Sequence, residues 1–170
     1  YTDKLRKRAQ DLKEQIRTDR RTLHKMPEIG TDLPQTSAYI KKRLDEMGIA
    51  WKDCGGLISE QMTRDYMEAG FPRMEKETGV TAVIGHGSPC ILLRADMDAL
   101  PVQEENDLEF KACNGFGHMC GHDSHTAMLL GAAQILKEME DELQGTVKLM
   151  FQPGEETGAG ARLMVEDGIL

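Results

Sequence analysis

Aromatic residues make up only 5% of this 170-residue chain, with a single tryptophan among them. A packed interior must therefore rest on Leu, Ile, Val, Met and Ala. Excess positive charge is also missing: 21 Lys and Arg face 29 Asp and Glu, a formal net of −8. A field of that sign repels phosphate backbones, and no basic stripe interleaved with aromatics offsets it, so nucleic acid is excluded as an expected partner. No apolar run reaches the roughly 18 residues that span a bilayer, and no membrane partner is expected. The first residues, Tyr1-Thr-Asp-Lys-Leu-Arg-Lys-Arg, hold neither an apolar signal core nor an initiator Met. Cysteine is sparse as well. Cys54, Cys90, Cys113 and Cys120 follow no regular spacing and read as reduced thiols, which points to a cytoplasmic protein without a disulfide framework.

The length suits one domain with a substantial core. Leu5, Ala9, Leu12, Ile16 and Leu23 recur at helical spacing, predicting one amphipathic helix capped by Thr2 or Asp3 and ending near Met26-Pro27. A second helix is expected after Pro34, capped by Thr36 or Ser37 and running to Gly48, followed by a short strand at Ile49-Ala-Trp51. Between Leu57 and Glu77, Ile58, Met62, Tyr66 and Ala69 form a helical stripe broken at Gly70-Phe-Pro72; a surface helix is favoured there over a lid. Val80 to Ile84 and Cys90 to Leu93 are β-branched-rich runs, expected to pair as a hairpin or to lie side by side. Ser124 to Met139 predicts a helix, Gly145 onward a strand, and Ala159 to Asp167 a helix. The alternation gives an α/β fold with a mixed, mainly parallel sheet flanked by helices.

The chemistry concentrates in three segments, two of which directly follow apolar strands. In Cys120-Gly121-His122, a thiolate and an imidazole two residues apart can converge on one cation, because Gly121 turns the backbone easily. The following helix N-terminus is expected to favour the thiolate. Sulfur and nitrogen ligands suit Zn²⁺ or another transition metal better than Mg²⁺ or Ca²⁺. His118, Asp123 and His125 crowd the same stretch. A closed structural zinc site built from Cys113, His118, Cys120 and His122 is the weaker alternative, since the ligands do not form two regular pairs. Asp96 and Asp98 follow a strand on alternate positions; one of them is expected to be a turn residue or to act only behind a ligand. Glu155 and Glu156 are adjacent, so their side chains diverge. One can hold a metal while the other takes a proton from water and returns it to a leaving amine.

Four segments occur together in order: Arg21-Thr-Leu-His24-Lys-Met-Pro27-Glu28, Arg94-Ala-Asp96-Met-Asp98-Ala-Leu-Pro101, His118-Met-Cys120-Gly-His122-Asp-Ser-His125, and Phe151-Gln-Pro-Gly-Glu155-Glu156. The chain thereby resembles the N-acyl-amino-acid amidohydrolases, the group of hippurate hydrolase and indole-acetyl-amino-acid hydrolase within the aminoacylase and carboxypeptidase metallopeptidase superfamily. The resemblance implies Cys120, His122 and Glu156 as metal ligands, Glu155 as general base, and Asp98 as the aspartate that orients a ligand from behind. It implies one or two divalent ions (Zn, Mn, Co or Ni), a small N-acyl amino acid or peptide substrate, and a homodimer at full length. His24 matches a motif position without an implied role and is expected to make a helix-end contact. Set against the family, residues 57–77 look inserted. The chain is expected to be the N-terminal part of the catalytic domain, 1–170, lacking the dimerisation or lid domain and inactive when isolated. The competing expectations are a metallo-dipeptidase or carboxypeptidase, and a truncated metal-binding homologue without turnover.

Overall fold

The computed structural model describes residues 2–71, 73–74 and 76–170. Its elements are α1 (Thr2–Asp11), α2 (Lys13–His24), α3 (Pro34–Glu46), β1 (Trp51–Cys54), α4 (Glu60–Glu68), β2 (Gly79–His86), β3 (Cys90–Asp96), α5 (His122–Glu138), β4 (Gly145–Gln152) and α6 (Gly160–Glu166). The predicted N-terminal helix is divided at Leu12, whose side chain turns inward while no residue of α1 is buried. The start of α3 also differs from expectation. Pro34 takes the first helical position, and the cap comes from outside the helix: the Glu28 carboxylate accepts the Thr36 N–H and hydroxyl, both at 2.9 Å. Proline suits that position because its missing N–H would be unpaired there anyway. Neither Thr36 nor Ser37 serves as the cap residue.

The sheet order is β1-β2-β4-β3. It is mixed and flanked by helices, as expected, but among these four strands only the β3–β4 pair is parallel, so "mainly parallel" does not hold here. Nor do β2 and β3 form a hairpin, since β4 lies between them. The physical reason sits at Gly145, where β4 passes beneath the β2–β3 connection. A Cβ there would fall 2.3 Å from the Pro89 carbonyl oxygen, and φ is +130°, a close approach that only glycine makes without strain. The Thr146 N–H then donates to that same carbonyl at 2.8 Å.

Alternation along β4 separates two faces. Val147, Leu149 and Phe151 join Val80, Ile84 and Leu130 in the main core beneath α3 and α5, whereas Met150 packs with Cys54, Met164 and Ile169 on the α6 side. Aliphatic side chains dominate, as the scarcity of aromatics requires. Burying each such side chain contributes about 1.5–3 kcal/mol before chain entropy is counted. The segment after β1 forms the surface helix α4. Ser59 caps it, its hydroxyl accepting the Met62 N–H at 3.2 Å. Tyr66, Met74 and Ile58 close a small core against Leu163 of α6. Pro72, part of the expected break, lies outside the described residues. No helix of the described residues is long and apolar enough to cross a membrane.

Candidate metal centre

The parallel register of β3 and β4 pairs Asp96 with Gln152, so both strands release their chains at one edge of the sheet. Open α/β sheets place ligands outside such carboxyl ends. From β3 the chain passes through Met97, whose N–H donates to the Gln152 carbonyl at 2.9 Å, to Asp98. From β4 it turns at Gly154, φ +63°, to Glu155 and Glu156. The Asp98 carboxylate joins the two segments: Oδ1 accepts the Glu155 N–H and Oδ2 the Glu156 N–H, each at 3.0 Å. The third segment arrives through Gly121, φ +90°, after which α5 begins at His122. Its first turn is fastened to β3 by the Thr126 hydroxyl, which donates to the Asp96 carbonyl at 3.0 Å.

His122 is 2% exposed, and its tautomer is fixed by what it touches. Nδ1 lies 2.8 Å from the Asp98 backbone carbonyl, which can only accept, so Nδ1 carries hydrogen. Nε2 then faces three carboxylates: Asp96 at 3.6 Å, Glu155 at 3.7 Å and Glu156 at 3.8 Å. A lone pair ringed by anions is unstable unless a proton or a cation lies among them. Burial alone would push the His122 imidazolium toward its neutral form, but the Asp98 and Asp96 carboxylates outweigh it and raise the pKa.

Ligand atoms of Cys120, His122 and Glu156 lie within 4.8 Å of one another. Glu156 Oε1 is buried without a hydrogen-bond partner among the described residues. An orphaned buried oxygen, an imidazole lone pair and a thiol facing one point make a donor set that fits a divalent transition metal. The thiol itself differs from expectation. Instead of being acidified by the helix N-terminus, Cys120 has its pKa raised, by partial desolvation and then by Glu156, Glu155 and Asp96. Carboxylates this close disfavour the thiolate, and a cation at the same point reverses their effect.

A second group, Asp96, His122 and His125, shares His122 with the first. His125 Nδ1 lies 2.6 Å from Asp96 Oδ1, and Arg94 pairs with Oδ2 at 2.9 Å. Sequence reasoning missed this pair, although His122 and His125 stand three apart on a helix and so share a face; their rings are 5.6 Å apart. Beside the pair, a groove of about 480 Å³ runs between β3 and α5, lined by Arg94, Asp96, His125, Met128 and Leu129 among others. Cys113 is exposed and joins neither group. His118 is buried with both ring nitrogens unpartnered among the described residues, and burial pushes its pKa down to about 4 against the opposing pull of Asp123. The four-ligand structural zinc site is therefore not assembled. His24, the last residue of α2, is buried between Asp123 and Glu104, 99 and 80 positions away along the chain.

Residues 92–170 match peptidase family M20/M25/M40. The chain is 46% identical over 153 residues to the Arabidopsis thaliana IAA-amino acid hydrolase ILR1-like 5, covering 89% of this chain and 31% of that protein. It is 43% identical over 162 residues to the Bacillus subtilis N-acetyl-L-cysteine deacetylase, covering 94% and 34%. Among solved structures, a Bacillus subtilis protein described as a dinuclear metal binding peptidase from the M20 family superposes with a TM-score of 0.78. It is 36% identical, with 95% of this chain and 41% of that chain covered. The chain thus spans about a third of the length of the curated relatives it matches.

Proposed function

We propose that this chain, which matches peptidase family M20/M25/M40 over residues 92–170, is part of a metal-dependent amidohydrolase cleaving N-acyl amino acids. The observation that carries this reading is the setting of His122: Nδ1 is held by the Asp98 carbonyl, while Nε2 faces Glu155 and Glu156. In the proposal, Cys120, His122 and Glu156 hold a divalent ion, with zinc the first choice for a sulfur, nitrogen and oxygen donor set and Mn, Co or Ni the alternatives. The related dinuclear peptidase and the group formed by Asp96, His122 and His125 support room for a second ion. A bound ion of this kind supplies Lewis acidity toward a carbonyl and acidifies water.

The side chains then divide the work. Glu155 is about 40% exposed, enough to meet a water and a substrate, whereas Glu156 is more buried. Glu155 takes a proton from the attacking water and gives it to the departing amine, so one carboxylate serves as base and then as acid. Asp98 acts from behind. It accepts both backbone N–H groups of the Glu155-Glu156 pair and holds the two carboxylates in their diverging directions. The resemblance alone supports a cytoplasmic homodimer, which size measurement and fractionation of the native protein would check.

The test is Glu155→Gln, assayed on N-acyl amino acids with metal content measured in parallel. Lost turnover with unchanged metal supports the assignment, and retained turnover overturns it. Faster cleavage of dipeptides than of N-acyl amino acids in the parent protein would move the substrate class to peptides without moving the centre.

A further inference from the structure

The stretch from Pro101 to Gly121 leads into Cys120 and His122 yet forms no helix or strand, with one isolated bridge, Leu100 to Gly117. A stretch that long inside a compact domain has no backbone ladder to fix it and depends on side-chain anchors. The chief anchor is Glu104, 1% exposed, whose carboxylate accepts the Ala112 N–H at 2.8 Å and the Asn106 amide at 3.4 Å. The same carboxylate lies 3.1 and 3.2 Å from His24 Nε2. The other ring nitrogen, Nδ1, lies 2.7 Å from Asp123 Oδ2. Asp123 is the residue after His122 and is also 1% exposed; its Oδ2 accepts Arg20 Nε at 2.8 Å and its Oδ1 the Ser124 N–H at 2.8 Å.

Each of the two imidazole–carboxylate bonds needs one proton, so Asp123, His24 and Glu104 together hold two. The charged and aromatic groups facing this trio are Arg20 and Arg21 of α2, Phe110 of the loop edge-on to His24, and His118. One imidazole therefore ties the end of α2 both to the first turn of α5 and to the loop before it. Buried networks satisfied in this way fix a single arrangement of the groups they join.

We propose that His24 is a positioning residue: by linking Asp123 to Glu104 it sets the direction in which the turn 118–123 presents Cys120 and His122. The proposal rests on the metal-centre reading and acts through the Asp123 arm. Without the His24 bond, Asp123 keeps only Arg20 and the Ser124 N–H of its own turn, so the first turn of α5 is held less firmly and the bond from His122 to the Asp98 carbonyl loses its geometry. The Glu104 arm shapes the loop further from the ligands.

Two amide variants separate the arms. In His24→Asn, the side-chain nitrogen sits near the place of Nδ1 and reaches Asp123. In His24→Gln, it sits near Nε2 and reaches Glu104 only. Affinity for Co²⁺, and the visible absorption bands of bound Co²⁺, are measured in the intact protein with thermal melting as a check on folding. The Gln variant is expected to lose about tenfold or more in affinity and to shift the bands, the usual consequence of removing a group that orients a ligand. The Asn variant should stay within about threefold of the parent. A merely structural histidine predicts equal losses in both, and that result, or equal affinity in all three proteins, overturns the role. Should the Gln variant fail to fold, Asp123→Asn with His24 intact carries the same expectation, and unchanged affinity there overturns it. A parent protein that takes up no Co²⁺ overturns the centre itself and this role with it.

Discussion

Asp98 and Glu77 are both carboxylates withdrawn from water, 1% and 7% exposed, yet their surroundings have little in common. Asp98 stands at the edge where β3 and β4 end; its two oxygens accept one backbone N–H each, and His122 Nδ1 lies 3.3 Å from Oδ1. Glu77 lies behind that edge, where the α4 segment meets the start of α6, wedged between Gly55 and Gly160. Neither of its oxygens has a hydrogen-bond partner among the described residues. Burial, followed by the charge of Asp167, pushes its pKa up to about 8. A buried carboxylate persists either because partners stabilise its charge or because a proton removes it. The first arrangement keeps anions ready to receive a cation. The second keeps an acid quiet at neutral pH.

This contrast can be broken at several places. The largest effect is expected from Glu155→Gln, which removes the proton carrier held out by Asp98: turnover should fall by about 10² to 10⁴ with metal content unchanged, and steady-state kinetics with metal analysis checks both. Next comes Asp98→Ala. It leaves the N–H groups of Glu155 and Glu156 without their acceptor and removes one anchor of His122, so metal affinity should drop by about 10- to 100-fold. A metal titration reading less than a twofold change would mean that Asp98 only fills space.

The smallest effect, with the opposite sign, is expected from Glu77→Gln. An unfolded glutamate loses its proton near 4.5, whereas folded Glu77 keeps its proton up to about 8. Through that window the unfolded chain binds fewer protons, so stability falls as pH rises, and the full cost stands above pH 8. The glutamine carries no charge to bury. Its melting temperature should match the parent near pH 5 and exceed it at pH 9. Equal alkaline loss in both proteins would place the sensitive group elsewhere.

Local signals carried much of this structure. The Ser124 helix, the strands around Val80, Cys90 and Gly145, and the final helix all lie within a few residues of where periodicity put them. What failed was long-range. That β4 slides between β2 and β3 depends on Gly145 meeting Pro89, a contact between positions 56 apart that no local pattern encodes. The cap of α3 failed for a similar reason, since Glu28 reaches across a loop to Thr36. At the centre, the resemblance singled out Cys120, His122 and Glu156, and the structure brings their ligand atoms together. Spacing alone could not have included Glu156, because only the parallel register of β3 and β4 carries it to α5. The shared face of His122 and His125 was readable from helical spacing and was overlooked, whereas Asp96 joins them only because β3 ends against α5. The link from His24 to Asp123 and Glu104 was not readable, as it joins three elements that the sequence keeps far apart.

The proposed centre requires that Cys120, His122 and Glu156 form a single metal-binding point. Titrating the protein with Co²⁺ while recording its ultraviolet and visible absorption, alongside Cys120→Ser, tests it most directly. The account predicts saturable binding with a thiolate-to-cobalt band that vanishes in the variant, together with weaker affinity. Saturable binding with the same spectrum in both proteins, or no binding in either, would contradict it.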